Sequence, residues 1–166
     1  MLPILTPRLR LRELTLTDAP HVLVLLNDPD FIHYIADKGV RTEAAARVYL
    51  AEGPLASYAA NGFGLWAVER REDGAWLGLC GLLRRPNVPH VDVGYALLAQ
   101  ARGCGYATEA AAAVRAYGLN ELGLLRIVAF IDPANRASAR VLQAIGLQSQ
   151  GRVVLPGVEG ETELFA

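Results

Sequence analysis

Cysteine and lysine are scarce in this chain, which contains only Cys80, Cys104 and Lys38. Two cysteines without neighbouring ligands make neither a disulfide framework nor a zinc site, so we expect no bound metal. The formal net charge is −1, which excludes a general attraction to nucleic acid or to anionic lipid. The longest uncharged stretch, residues 53–68, is interrupted by glycine, proline and asparagine, and no cationic leader precedes an apolar run at the N-terminus. We therefore expect a cytoplasmic protein with neither nucleic-acid nor membrane partners.

The length and composition are those of one globular domain spanning residues 1–166. Of the 166 residues, 52% are hydrophobic and 20% are charged, a balance that argues against disorder. Apolar periodicity and turn signals predict strands and helices in the order β, helices, β-hairpin, β, α, β, α, β, β. The strands are expected over 8–12, 63–70, 76–83, 91–98, 125–131, 152–155 and 161–165. The helices are expected over 19–26, 31–36, 42–60, 106–122 and 137–145.

A strand, a glycine turn and a helix follow one another between Val91 and Val114. Glycine tolerates positive φ and lets a ligand approach the backbone closely. The free amides of the turn and the positive end of the helix form a site for an anion, to which Arg102 adds a cation. A diphosphate is the expected ligand, although a short Gly-x-Gly segment by itself is equally compatible with a plain turn.

The turn does not fit the dinucleotide fingerprint. That pattern requires a third glycine where this chain has Thr108, and it requires an acidic residue at the end of the next strand, where only Asp132 is near. The Gly-Lys-Ser/Thr ending of a phosphate-binding loop is also missing. The nucleotide-binding alternatives are therefore weaker than another diphosphate ligand.

Two segments resemble the GNAT acetyltransferase superfamily, and in particular its RimJ/RimL branch of ribosomal-protein N-terminal acetyltransferases. The Arg/Gln-x-x-Gly-x-Gly/Ala pattern of the superfamily falls on Arg102, Gly105 and Ala107, and the Tyr-Ala-Thr-Glu-Ala continuation of the branch lies at residues 106–110. Residues 135–147 are similar to the branch's Asn-x-x-Ser-x-Arg/Lys-Val-Leu-x-x-x-Gly-Phe segment. The resemblance implies a mixed α/β fold with a largely antiparallel central sheet, a splayed fourth strand and flanking helices.

The same resemblance implies acetyl-CoA as cosubstrate and assigns the residues that bind it. Backbone groups of the splayed strand would pair with the pantetheine arm, the turn would hold the pyrophosphate, and Asn135 would contact a pantetheine amide. Arg140 would reach a CoA phosphate, although a solvated arginine on a helix is an equally good reading. The implied cofactor residues are Tyr95, Ala96, Leu97, Arg102, Gly103, Cys104, Gly105, Tyr106, Ala107, Thr108, Asn135 and Arg140.

The implied reaction is direct transfer of an acetyl group to a primary amine in a ternary complex. Many members of the superfamily use a tyrosine as general acid four residues before the last helix's glycine, but that position here is Leu142. Ser138 is therefore our candidate acid and Asp92 our candidate base, each with a purely structural alternative. His33, His90 and Glu13 are weaker candidates for the base. A covalent route through Cys104 is not favoured.

The acceptor is left open by the sequence. A protein N-terminal amine or a small-molecule amine fits the resemblance, and homodimer formation is compatible with it. The principal alternative function is an acyl-CoA-binding module of the same fold that has lost catalytic power, for which Leu142 is the one supporting feature. A dinucleotide-binding domain ranks third.

Overall fold

The computed structural model describes residues Met1 to Ala166 and contains one eight-stranded sheet. The strands lie in the order β1-β2-β3-β4-β5-β6-β8-β7, and every neighbouring pair is antiparallel except β5 and β6. Their bounds are β1 Ile4–Leu5, β2 Leu9–Glu13, β3 Leu65–Arg70, β4 Trp76–Leu83, β5 Val91–Leu97, β6 Ile127–Ile131, β7 Ser149–Val153 and β8 Thr162–Phe165. The predicted largely antiparallel sheet is confirmed.

Six helices cover the two faces of this sheet. Their bounds are α1 Ala19–Leu26, α2 Pro29–Tyr34, α3 Glu43–Leu50, α4 Ala56–Asn61, α5 Tyr106–Asn120 and α6 Arg136–Ala144. Neighbouring residues of a strand point to opposite faces, so β3 places Val68 in a core with α5 and α6 and places Ala67 in a second core with α1 and α3. The sheet therefore separates two hydrophobic cores.

The β3–β4 hairpin and the glycine-preceded helix α5 occur where the sequence predicts them. The hairpin turn contains Gly74 with a φ of 71°, a value that glycine adopts without steric cost. Gly62 likewise ends α4 with a left-handed φ of 77°. These local signals predict the elements because the backbone conformation itself requires glycine at these positions.

The predicted break after the first helix is confirmed, since α1 ends at Leu26 and Asp28 has an extended backbone, but α2 begins at Pro29, two residues before the predicted start, with Asp28 as its N-cap. Proline fits there because the first amide of a helix has no intrahelical partner to lose. The expected single helix over 42–60 is divided by a wide π-helical turn, Ala51–Leu55, because Pro54 cannot donate the hydrogen bond of a regular turn.

The edges of the sheet also differ from the prediction. Strand β1 was not expected, since two residues carry no periodic signal, and β7 begins three residues before the predicted start. None of the helices has the length and apolar character needed to cross a bilayer.

Candidate active site

The parallel strands β5 and β6 pair over two residues and then diverge. Val91 lies beside Ile127 and Asp92 beside Val128, whereas β5 stays paired with β4 from Asp92 to Leu97. Beyond Asp92, the edge of β5 that faces β6 has no strand beside it. An extended ligand can hydrogen-bond to such an edge. The predicted splayed strand is therefore present.

A cavity of about 630 Å³ lies at this opening. Its walls come from α2 with the end of α1, the C-terminal part of β5, the glycine turn with the start of α5, and the start of α6. Twelve of the fourteen residues predicted from the sequence line it. These are Tyr95, Ala96, Leu97, Arg102, Gly103, Gly105, Tyr106, Ala107, Thr108, Asn135, Ser138 and Arg140.

The glycine turn exposes the first amides of α5. Gly103 and Gly105 have φ values of 74° and 79°, which are unfavourable for any residue with a Cβ. Gly105 is the N-cap of the fifteen-residue α5, and no side chain accepts a hydrogen bond from the first turn of that helix. Uncapped amides and the helix dipole favour an anion at this position. Cys104 is exposed and does not line the cavity.

The side chain of Arg102 is not directed at the glycine turn. Its guanidinium donates to Asp28 and to Asp30 of α2, both at 2.7 Å, and to the carbonyl oxygen of Leu97 at 3.0 Å. Burial raises the pKa of Asp28, but the hydrogen bond and the charge of Arg102, together with the backbone amides that Asp28 caps, outweigh it, and the pKa lies below its usual value. Arg102 thus joins α2 to the glycine turn, which no sequence signal indicated.

Ser138 and Tyr95 meet inside the cavity. The Tyr95 hydroxyl lies 2.7 Å from Ser138 Oγ and 3.1 Å from the Ser138 carbonyl oxygen. Burial raises the pKa of Tyr95, so its proton is retained at neutral pH. Asn135 is the N-cap of α6, and its side-chain oxygen accepts from the Ser138 amide at 3.2 Å. Its side-chain NH₂ remains available to a ligand.

Asp92 is buried away from this cavity. Its side chain is 1% exposed and accepts two hydrogen bonds from Arg85, at 2.9 and 3.1 Å. Burial raises the pKa of Asp92, and the attraction to Arg85 only partly opposes that shift. Asp92 therefore does not line the cavity that contains Ser138, the other predicted catalytic residue.

The remaining candidates are placed as follows. Leu142 is buried in the core beneath α6, so its side chain does not reach the cavity. His33, His90 and Glu13 do not line it either. Arg140 lines it and makes no ion pair. Sequence reasoning missed Phe31 and the other apolar residues of α2, because a six-residue helix carries too little periodicity to predict a binding face.

Comparison with known proteins identifies the family of this fold. Residues 8–148 match the family described as acetyltransferase (GNAT) domain. The chain is 34% identical over 147 residues to the uncharacterized protein YkkB of Bacillus subtilis (strain 168), covering 87% of this chain and 84% of that protein. It is 29% identical over 153 residues to the uncharacterized N-acetyltransferase YoaA of the same strain, covering 91% and 86%.

Among solved structures, the chain is similar to RimL, a ribosomal L7/L12 alpha-N-protein acetyltransferase in complex with coenzyme A. The TM-score is 0.82 at 17% identity, with 98% of this chain and 96% of that chain covered. At this identity the likeness shows a shared fold. The family match covers the splayed strand, the glycine turn and the start of α6, and the chain therefore belongs to the GNAT family as an N-acetyltransferase.

Proposed function

We propose that this protein transfers the acetyl group of acetyl-CoA directly to a primary amine, either a protein N-terminal amine or a small-molecule amine. The observation that carries the proposal is one cavity that joins the open edge of β5, the uncapped start of α5 and the hydroxyl of Ser138. The complex of RimL with coenzyme A supports the choice of cosubstrate. Acetyl-CoA supplies the activated acyl group as a thioester.

The cofactor is assigned to three parts of the cavity. The open edge of β5 at residues 95–97 would pair with the pantetheine arm, and the amides of residues 102–108 would hold the pyrophosphate. Asn135 would donate through its free side-chain NH₂, since its oxygen caps α6. Arg140 has no carboxylate partner and would contact a phosphate. Arg102 would contribute its backbone, because its guanidinium is held by α2.

Ser138 is assigned to the departing sulfur. Tyr95 has one hydroxyl proton, which can be donated either to the Ser138 carbonyl oxygen or to Ser138 Oγ. When it is donated to Oγ, the serine hydroxyl is free to donate into the cavity. An aliphatic hydroxyl is much less acidic than a thiol, so Ser138 stabilises the thiolate by a hydrogen bond without losing its own proton. Backbone N–H groups near Leu97 would stabilise the oxyanion. Because burial raises its pKa, Tyr95 keeps its hydroxyl proton and remains a hydrogen-bond donor to Ser138.

Asp92 stays a predicted base. Burial raises its pKa above that of an ordinary aspartate, which makes it a stronger base, and its burial beside Arg85 requires a water-mediated path to the amine. Asp92→Asn would then remove the acidic limb of the pH profile of kcat. An unchanged profile would assign Asp92 to the ion pair alone.

The test of the proposed function combines binding with turnover. Acetyl-CoA should raise Tm, whereas NAD should not. Release of free CoA thiol should be detectable across a panel of amines and N-terminal peptides. Ser138→Ala should lower kcat by about 10- to 100-fold, the value of one hydrogen bond to a charged group of about 1.5–3 kcal/mol. Ser149→Ala on the exposed strand β7 is the matched control.

Two outcomes would contradict this assignment. Stabilisation by acetyl-CoA without thiol release for any amine would favour the non-catalytic acyl-CoA-binding module. Unchanged turnover of Ser138→Ala, with full activity in the control, would remove Ser138 from the mechanism.

A further inference from the structure

We infer that the acceptor is a primary amine at the end of an apolar or aromatic body that carries no second positive charge. This inference rests on the proposed function and names its substrate class. Free alkyl- or arylalkylamines have this chemistry, and so does the N-terminus of a peptide whose first side chain is apolar. Polyamines and aminoglycoside-like amines do not.

The wall that α2 contributes to the cavity is apolar and aromatic. Phe31, Tyr34 and Ile35 lie on this wall together with Leu25 of α1. Ile35 is 49% exposed, although large aliphatic side chains usually gain by burial. A ligand with an apolar body would remove this surface from water. A hydrated polycation would not, because its charged groups keep their water.

The charges of the cavity also disfavour a second ammonium. Three arginines and one carboxylate line it, namely Arg102, Arg136, Arg140 and Asp30. Asp30 is already paired with Arg102, and Arg136 is paired with Glu163 outside the lining. No unpaired carboxylate is left to compensate the desolvation of another cation.

Arg102 has a specific part in this selectivity. Asp28 and Asp30 share its single guanidinium, so the three groups together carry one net negative charge. One negative charge suits an acceptor with a single ammonium. Without Arg102, Asp30 on the cavity wall and Asp28 beside it would lose their guanidinium partner, and the two uncompensated negative charges would attract a polycation. Arg102 is thus a specificity residue in addition to its place in the cofactor turn.

The first experiment compares two amines of equal length, n-heptylamine and 1,6-diaminohexane, by thiol release at saturating acetyl-CoA. We expect kcat/KM to be at least about tenfold higher for n-heptylamine, since one unit charge about 6 Å away through an effective dielectric of about 40 has this effect. 2-Phenylethylamine and the peptide Phe-Ala-Ala-amide distinguish the two sources of this chemistry. Faster turnover of 2-phenylethylamine than of the peptide identifies a free amine as the acceptor, and the reverse result identifies a peptide N-terminus. Either result supports the proposed substrate class.

The second experiment changes the charges. Arg102→Gln should shift the ratio of kcat/KM values about tenfold towards 1,6-diaminohexane, because it leaves two carboxylates unpaired. Asp28→Asn with Asp30→Asn should shift the ratio the other way, and asparagine keeps the cap of α2. Taking the ratio within each variant cancels any change in cofactor binding. Arg152→Gln, which breaks an ion pair on β7 outside the cavity, is the matched control.

The third experiment changes the apolar wall. Ile35→Asp should lower kcat/KM for n-heptylamine by about tenfold and raise it for the diamine. Val24→Asp is the control, since Val24 is 62% exposed on α1 and lies outside the cavity lining.

A diamine used as well as n-heptylamine by the unmodified protein would overturn the inference and leave acetyl transfer intact. Ratios unaffected by Arg102→Gln and Ile35→Asp would also overturn it. No transfer to any amine would overturn the proposed function as well.

Discussion

Replacement of Arg85 by methionine should destabilise the protein by leaving Asp92 buried without its partner. Asp92 is 1% exposed, and its carboxylate accepts two side-chain hydrogen bonds, both from Arg85. Removing one partner of a buried pair typically costs about 3–5 kcal/mol. Arg85 is 35% exposed, so water already screens part of the attraction, and we expect the lower end, about 3 kcal/mol. For a chain of this size, that corresponds to a fall in Tm of roughly 6–12 °C.

The loss should depend on pH in a defined direction. Burial raises the pKa of Asp92 above its usual value of 3.8, so the folded state binds the proton more tightly than the unfolded state does. The stability linked to this proton is fully present below pH 3.8 and is lost as the pH rises through the folded pKa. Arg85→Met removes the group that opposes this shift. The destabilisation should therefore be larger at pH 8 than at pH 5.

Urea unfolding followed by circular dichroism at these two pH values measures the effect. Combining Arg85→Met with Asp92→Asn should restore most of the lost free energy of unfolding, because the neutral amide tolerates burial better than an unpaired carboxylate. An equal loss at both pH values, or no recovery in the double variant, would refute the reasoning.

Two glycines provide further tests. In Gly81→Ala, the new Cβ would lie 2.0 Å from the carbonyl oxygen of Gly64, so β4 must move away from the neighbouring backbone. We expect a loss of about 3 kcal/mol in urea unfolding, and a loss below 1 kcal/mol would show that the backbone yields easily. In Gly105→Ala, the φ of 79° costs about 1–2 kcal/mol. The strained turn should also weaken acetyl-CoA binding in calorimetric titration, and an unchanged Kd would contradict the assignment of the pyrophosphate to these amides.

The elements that could be predicted from the sequence are those whose signal is local. Gly74 and Gly62 mark a hairpin and a helix end, because positive φ values favour glycine over other residue types. The same argument located the turn before α5. Pro29 correctly indicates the break after α1, because the residue before a proline is disfavoured in a helix, but proline also suits the first helical position, and α2 begins at Pro29 itself. The side chain of Asp28 fixes this start by accepting hydrogen bonds from the amides of Asp30 and Phe31.

The proposed cofactor part of the site follows from contiguous segments. Residues 95–108 form a strand, a turn and a helix start in direct succession, so their sequence neighbours are also their spatial neighbours. Asn135 and Ser138 joined them only through the resemblance to a family. The catalytic residues do not follow from such local patterns, since a carboxylate on a strand gives the same pattern whether it faces a cavity or an ion pair. In the structure, Asp92 forms an ion pair with Arg85.

The glycine turn, the hairpin and the alternation that separates two cores were determined by the sequence itself, because each depends on the conformation or polarity of neighbouring residues. The tertiary structure alone decided that Arg102 pairs with Asp28 and Asp30, 74 and 72 residues earlier in the chain. It also decided that Tyr95 meets Ser138, 43 residues later. Such contacts depend on how the chain brings distant segments together around the divergence of β5 and β6. No local pattern contains that information, although these contacts set the charge and the apolar wall of the proposed acceptor site.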